Sequence, residues 1–384
     1  LSMRVAVVGG GVIGSSIAWL AAAAGLDVRL IDPRPGSGAS WVAGGMLAPI
    51  TEAWPGEEAL LELGSASLAR WPAFAERLRA AAGRDPGLRT GGTVVAAVDA
   101  ADRDELDRLA GYLGRLGREV RRLGPRELRE LEPALSPSLR SGLSVPGDLA
   151  VDNRMLLAAL RAASEAAGVV PVAAEARSVR SGAVELADGS AVACDVAVIA
   201  AGAWSAGLHP VLAHQVRPVK GEVLRLRARP SALPPPSRTV RGLVEGRPVY
   251  LVPRDGGGLV LGATQYEAGF DADVTVGGVR DLLHDAERLL PGVAEYALVE
   301  CTAGFRPGSM DNLPLVGWLE PGVLVATGHH RNGMLLAPVT AESVLALLRG
   351  EPAPAEVSVA KPDRLVSGAR CPAPDRRPRA ARPV

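Results

Sequence analysis

Short apolar runs and longer amphipathic stretches take turns along this chain. Met3–Val8 and Val28–Ile31 are β-branched and nearly uninterrupted, the pattern of strands buried on both faces. Between them Ser15–Ala24 reads as a helix closed by Gly25, where a C-cap belongs. Glu57–Ala82 carries Leu60, Leu61, Leu63, Leu68, Trp71 and Phe74 at spacings that make one apolar stripe on a helix. Ala101–Leu116 is a charged amphipathic helix, and Pro125–Leu131 is a short one stopped by Pro133. Asp152 caps a further helix, Met155–Ala167, which ends at Gly168. Val169–Ala173 and Arg177–Val179 read as extended, and Asp188-Gly189 joins Ala183–Leu186 to Ala191–Ala193 as a hairpin.

Two later runs, Asp195–Trp204 and Val323–Gly328, are continuously apolar up to a glycine turn and fit central parallel strands. Between them the rhythm becomes that of a sheet: Val216–Arg227, Pro248–Val252, Leu259–Gly262 and Leu298–Phe305, with a helix over Gly278–Leu290. Thr93–Val98 is a similar strand earlier in the chain, and Leu335–Leu348 is the last helix. The expected class is α/β: a Rossmann-like domain built from residues 1–90, 145–215 and 300–350, interleaved with an antiparallel-sheet substrate domain from 91–144 and 216–299. Residues 351–384 are rich in Pro, Ala and Arg without periodicity and read as a strap, then a solvated tail.

Composition narrows the function classes. The 384 residues are 48% hydrophobic but only 3% aromatic, so the core is mainly aliphatic. Lys and Arg balance Asp and Glu at 42 each, which gives no global field for nucleic acid or an anionic membrane. No apolar run reaches the ~18 residues of a spanning helix. Cys194, Cys301 and Cys371 are far apart with no C-x-x-C pair, so neither a zinc site nor a disulfide framework is expected. A soluble cytoplasmic enzyme without a metal is the expectation.

The first strand breaks at Gly9-Gly10-Gly11-Val12-Ile13-Gly14, a G-x-G-x-x-G turn followed by a helix, a strand and the acid Asp32. Gly9 permits the tight turn, Gly11 lets backbone approach a pyrophosphate, and Gly14 lets the helix pack on the sheet. The amides of Val12 and Ile13 then face the phosphates at a helix N-terminus. Asp32, 18 positions after Gly14 and followed by Pro33, is placed to bind the adenosine ribose and to repel a 2′-phosphate, which disfavours NADP. The motif alone says dinucleotide. A second small-residue segment, Gly36–Pro49, includes Ala39, Ser40, Gly44, Gly45 and Met46 and would let main chain lie flat against a ring system, as an extended FAD requires.

The ordered motifs carry a family resemblance: Gly9–Gly14, Ala43–Pro49, Glu132-Pro133, Val216–Glu222, Tyr250–Arg254, Gly304–Pro307, Asp311–Pro314 and Gly328–Gly333. Over about Met3–Gly350 the chain resembles the FAD-dependent D-amino acid oxidase and sarcosine oxidase family, and within it the glycine oxidases of thiamine biosynthesis. The resemblance implies FAD as cofactor, a small amino acid and oxygen as substrates, hydride transfer from Cα to the flavin, peroxide as product, a thiazole-forming enzyme as partner, and a homotetramer. Sarcosine, D-alanine or D-proline as substrate, or a catalytically silent flavoprotein subunit, are the alternatives.

Arg306 matches the family's carboxylate-binding arginine at the end of a strand, Tyr250 the tyrosine that adds a second hydrogen bond, and Arg331 another position beside the substrate. Gly202, His329, His330, Arg331, Asn332, Gly333, Met334 and Leu335 fall where the family contacts the flavin, with Asn332-Gly333-Met334 opening the last helix toward it. His330 stands where the family carries an aromatic residue, and Gln265 where the glycine oxidases carry an apolar one. Cys301, five residues before Arg306, falls where the sarcosine oxidases bond FAD covalently, so it reads either as a flavinylation site or, like most buried free cysteines, as a small hydrophobe.

Overall fold

A computed structural model describes residues 2–365. Two sheets dominate it. The first runs in spatial order Leu315–Glu320, Val323–Thr327, Val196–Ile199, Arg4–Val8, Asp27–Ile31 and Val170–Val172. Its neighbours are parallel except for the first pair. Arg4–Val8 lies inside this sheet and shows why its run lacks polar alternation. Val5 and Val7 pack with Ile17, Leu20, Trp71 and Leu156 on the helical side, while Ala6 and Val8 pack with Val184, Leu186 and Leu212 on the other.

The second sheet has eight strands, in the order Ala297–Ser309, Val216–Arg227, Gly258–Gly262, Arg247–Pro253, Thr239–Val244, Thr93–Ala97, Ser141–Val145 and Arg121–Leu123. It is antiparallel save for Thr239–Val244 against Thr93–Ala97, which are parallel, so the expected antiparallel sheet is a mixed one. Its two faces separate by residue parity. Leu224, Leu226, Leu251, Leu259 and Leu261 face back and pack with Leu282 and Leu289 of the helix Val276–Leu289. Val223, Val252 and Val260 face forward and pack with Val42, Met46 and Tyr250.

Three boundaries differ from expectation for local reasons. The first helix starts at Val12, not Ser15: Gly11 is its N-cap, and the Ser40 hydroxyl accepts from Val12 N at 2.9 Å. The strand Ala297–Ser309 continues through Arg306 and Pro307, so Arg306 is inside it. Proline is tolerated there because this is an edge strand. The last helix spans Ala337–Leu348, so Asn332-Gly333-Met334 does not open it: Asn332 ends a 3-10 turn, His330–Asn332, and Gly333 and Met334 belong to the irregular turn that follows. The described part of the Pro-rich end is ordered, with Val357 and Ala360 buried and Glu356 paired to Arg70 at 2.5 Å. Residues beyond 365, including Cys371 and the Arg-rich end, lie outside the described residues.

The Glu132-Pro133 motif has a structural task. Buried Glu132 accepts from Ser237 N (2.9 Å), Ser237 Oγ (2.6 Å), Arg238 N (3.2 Å) and Arg238 Nε (2.8 Å), which fixes the entry to the central strand Thr239–Val244. Glu132→Ala strands these donors and leaves Arg238 without its counter-charge. The expected cost is about 3–5 kcal/mol, read by urea unfolding. A loss near zero would contradict the assignment.

Candidate flavin and substrate site

The dinucleotide turn has the shape that its sequence implies. Gly9 has φ +104, and a Cβ on it would sit 2.4 Å from Ala200 O. A Cβ on Gly14 would sit 1.8 Å from Gly9 O. Gly11 has no side chain to cap the 12-residue helix; Ser40 Oγ takes the Val12 amide at 2.9 Å, and the positive end of the dipole faces the crevice beyond the parallel strands. Asp32 accepts from Gly10 N (2.6 Å) and Arg34 N (2.7 Å), so it braces the turn itself. A carboxylate has about four acceptor sites, which leaves two for a ribose. These features fit the adenosine diphosphate half of FAD. Pro33 is exposed beside Asp32, Ala39 and Ser40 begin the short helix Ala39–Val42, and Gly202 opens a 3-10 turn at φ +55.

Residues 40–46 cross from that turn to the front face of the large sheet, held by a buried network absent from the sequence reading. Asn153 Nδ2 donates to Ser40 O and Trp41 O, both at 2.8 Å. Arg254 Nη2 donates to Gly44 O at 2.8 Å, and its Nε lies 3.2 Å from Asp152 Oδ2. Arg225 and Arg254 both donate to Asn153 Oδ1, at 3.1 and 3.3 Å. Burial pulls the Arg254 pKa down to about 10, so it stays charged at neutral pH. Gly45 has φ +75, and a Cβ there would sit 2.0 Å from Val151 O. The segment is therefore bare backbone pressed flat against its surroundings, the surface a planar ring needs.

Opposite this segment the expected substrate residues lie along one sheet face. Tyr250 pairs with Arg241 on one side and Gly262 on the other, and Gly262 pairs with Val223. Two residues along each strand from the Val223–Thr302 pair come Gly221 and Gly304, then Val219 and Arg306. Two glycines make room for the large side chains. A Cβ on Gly262 would sit 2.3 Å from the Tyr250 hydroxyl, and one on Gly221 would sit 2.3 Å from Arg306 Nη1. Glycine inside a strand signals such an approach, so these two were discoverable. A Cβ on Gly44 would meet the Tyr250 ring at 2.6 Å, which places the bare backbone and the phenol face to face.

The two arginines expected at the substrate differ in their partners. Arg331 donates to Glu57 at 2.6 Å and to Glu52 O at 3.3 Å, and Asn312 Nδ2 holds the other Glu57 oxygen at 2.7 Å. Arg306 donates only to carbonyls, Thr264 O at 3.2 Å and Lys220 O at 3.5 Å, and has no carboxylate partner among the described residues. The Tyr250 hydroxyl likewise has no hydrogen-bond partner among them. Burial raises the Tyr250 pKa and lowers that of Arg306, which nevertheless remains a cation. The carbonyl of Thr264 is itself fixed: Thr264 and Thr275 are tied to buried Glu222, and Lys220 reaches Asp271 at 3.2 Å. That explains the Val216–Glu222 motif.

The turn at 329–335 borders the site. His329 is buried, with Nε2 3.0 Å from Thr340 Oγ1, and burial pushes its pKa down to about 3. His330 has φ +47, and burial also brings it to about 3, so both rings are neutral at working pH. Asn332 is buried, while the side chains of Met334 and Leu335 enter the main core. Gly333 begins the turn's last residues. Cys301 corrects the flavinylation expectation. An odd spacing from Arg306 puts it on the back face, packed against the cluster of Leu224 and Leu289. Burial also raises its pKa, which disfavours a thiolate. No group of acidic, His and Cys residues able to hold a metal occurs among the described residues.

Comparison with known proteins agrees with this geometry. A family model described as FAD dependent oxidoreductase matches residues 4–347. A protein named glycine oxidase from Geobacillus kaustophilus is 36% identical over 346 residues, covering 88% of this chain and 90% of that one. The bifunctional protein ThiO/ThiG of Synechocystis is 32% identical, covering 98% of this chain and 56% of its own length. The crystal structure of glycine oxidase from Geobacillus kaustophilus matches with a TM-score of 0.85 at 34% identity, over 94% of this chain and 98% of that one.

The neutral His329 makes a pH prediction. Its native pKa lies below its unfolded value, so the unfolded chain binds the extra proton and stability falls with pH below about 6.5. Acidification from pH 7.5 to 5 removes about 2 kcal/mol through this group. His329→Asn lacks that loss, so the stability gap between the two proteins should narrow by this amount in urea unfolding. A gap that stays constant between the two pH values contradicts a neutral buried imidazole.

Proposed function

The chain belongs to the FAD-dependent oxidoreductase family, and on that premise we propose that it oxidises glycine to its imine. The imine is then hydrolysed to glyoxylate and ammonia or passed to a thiazole-forming enzyme. The observation that carries the reading is Arg306: a partly buried cation without a carboxylate partner, beside a free Tyr250 hydroxyl and opposite the bare Gly44–Gly45 backbone. That pair suits one carboxylate. The name glycine oxidase on the 36%-identical Geobacillus relative supports the choice of amino acid. The fusion named in the Synechocystis protein supports transfer of the product to a thiazole-forming partner.

FAD, when bound, supplies the two-electron acceptor for the Cα hydrogen and passes the electrons on to oxygen. The chain itself contributes position. Gly9, Gly11 and Gly14, with Val12 and Ile13 at the helix start and Ser40 Oγ on the Val12 amide, take the pyrophosphate, and Asp32 the ribose. Ala39–Met46 and the 329–335 turn enclose the ring system. Arg306 and Tyr250 hold the substrate carboxylate so that Cα faces that ring, which is catalysis by orientation. Arg331, bound to Glu57, shapes the pocket wall and adds positive potential. No acid–base residue on the chain is needed to remove the Cα hydrogen as hydride. We divide the chain into discontinuous FAD-binding and substrate domains, with Ala297–Ser309 assigned to the substrate side because it pairs with Val216–Arg227, and a cytoplasmic homotetramer completes the reading. No described helix is long and apolar enough to cross a membrane.

The test is peroxide release by the purified yellow protein with glycine, sarcosine, D-alanine and D-proline, scored by kcat/KM. Glycine should rank first. Arg306→Ala should keep its flavin yet lose at least ~100-fold in kcat/KM, the effect of removing one partner of a buried charge pair. An alanine variant as active as the native protein would refute the assignment.

A further inference from the structure

The front face of the large sheet carries one more charged pair, which the reaction above does not use. Arg241 is the direct cross-strand neighbour of Tyr250, so its side chain shares that face. It donates to Thr51 O, and its Nη2 lies 3.6 Å from Glu52 Oε1. Glu52 is only 13% exposed, and its carboxylate has no other partner among the described residues. It makes no hydrogen bond as close as those on the buried Glu132 or Asp148. Its loop is held firmly: Asp148, fully buried, accepts from Ile50 N, Thr51 N and Thr51 Oγ1 at 3.3, 3.0 and 2.8 Å, and Arg331 donates to Glu52 O at 3.3 Å. The Glu52 charge also acts on both Tyr250 and Arg306. A rigid loop thus holds an under-bonded carboxylate at the edge of the proposed carboxylate site.

We propose that Glu52 receives the amino end of the substrate, with Arg241 as the positioning residue that aims it. This rests on the reading of the chain as an amino-acid oxidase. A carboxylate with spare lone pairs needs donors in a dry site, and the N–H groups of an amino acid's nitrogen supply them. Arg306 and Glu52 then hold opposite ends of the substrate. A two-point hold of this kind fixes which Cα hydrogen faces the ring, where a carboxylate contact alone leaves the substrate free to swivel. It also favours amino acids over plain carboxylates, which bring a second negative charge toward Glu52 with no donor to offset it.

Glycine oxidation by the native holoenzyme is measured first; if no amine is oxidised, the functional reading falls and this inference with it. Given an active enzyme, Glu52→Gln is compared with it for glycine kinetics and for binding of propionate, a carboxylate without an amine, followed by the change in the flavin spectrum. The expected result is a KM for glycine raised at least tenfold with propionate bound as tightly as before or more tightly. Glu52→Asp, which keeps the charge, should recover part of the glycine affinity. If the Gln variant does not retain flavin, the Asp variant decides by the same pair of readings. An unchanged glycine KM overturns the inference and leaves the oxidase reading intact. Parallel loss of glycine and propionate binding overturns it too, because it marks Glu52 as a structural support.

Discussion

A hydrogen-bonded junction ties the dinucleotide turn to the large sheet, and the candidate site is built around it. Arg254 closes the strand that carries Tyr250, yet its guanidinium lies on Gly44 O and beside Asp152, across the boundary. Asn153, at the start of the helix Asn153–Ala166, ties down Ser40 O and Trp41 O and takes a second bond from Arg254. Ser40 in turn reaches the first amide of the phosphate-facing helix. One chain of hydrogen bonds therefore runs from the dinucleotide turn to the strand that presents the substrate residues. Arg254, Asn153 and Gly44 within it are buried, so a break there would leave charge or backbone unpaired in a low-dielectric setting. That cost holds the dinucleotide turn and the Tyr250 strand in a fixed relation.

Charge is distributed around this junction with a clear division. Arg331 is committed to Glu57 and Arg241 faces Glu52, while Arg306 rests on carbonyls alone. The histidines at 329 and 330 stay neutral and add shape without charge. Beside the Tyr250 hydroxyl, Arg306 is a cation with no carboxylate partner among the described residues, and the strand glycines Gly221 and Gly262 leave room for the guanidinium and the phenol. Electrostatics and sterics select the same spot.

Much of this was legible in the sequence, because local pattern and local chemistry coincide there. The glycine turn, the helix Glu58–Ala82, the hairpin at Asp188-Gly189 and the strand Val216–Arg227 are all specified by nearby residues. The short motifs also carried the FAD family, Arg306 and Tyr250. What was missed depends on long-range contact. Thr239–Val244 has Arg241 and Gly242 in its middle, and its strand identity comes from pairing with Thr93–Ala97, far away in sequence. Gly242 is there because Leu289 crosses 2.3 Å from where its Cβ would stand. Asn153, Arg254 and Glu52 are ordinary polar residues until the fold brings them together. Cys301 had two readings in the sequence, and strand parity puts it on the back face with Leu224 and Leu289, as a small hydrophobe.

The most direct measurement is a crystal structure of the FAD-loaded protein with propionate bound. The account predicts the carboxylate paired to the Arg306 guanidinium and the Tyr250 hydroxyl, with the flavin ring against Gly44–Gly45 and Arg331 still on Glu57. A carboxylate seated on Arg331 instead, with Arg306 left on the carbonyls of Lys220 and Thr264, would contradict it.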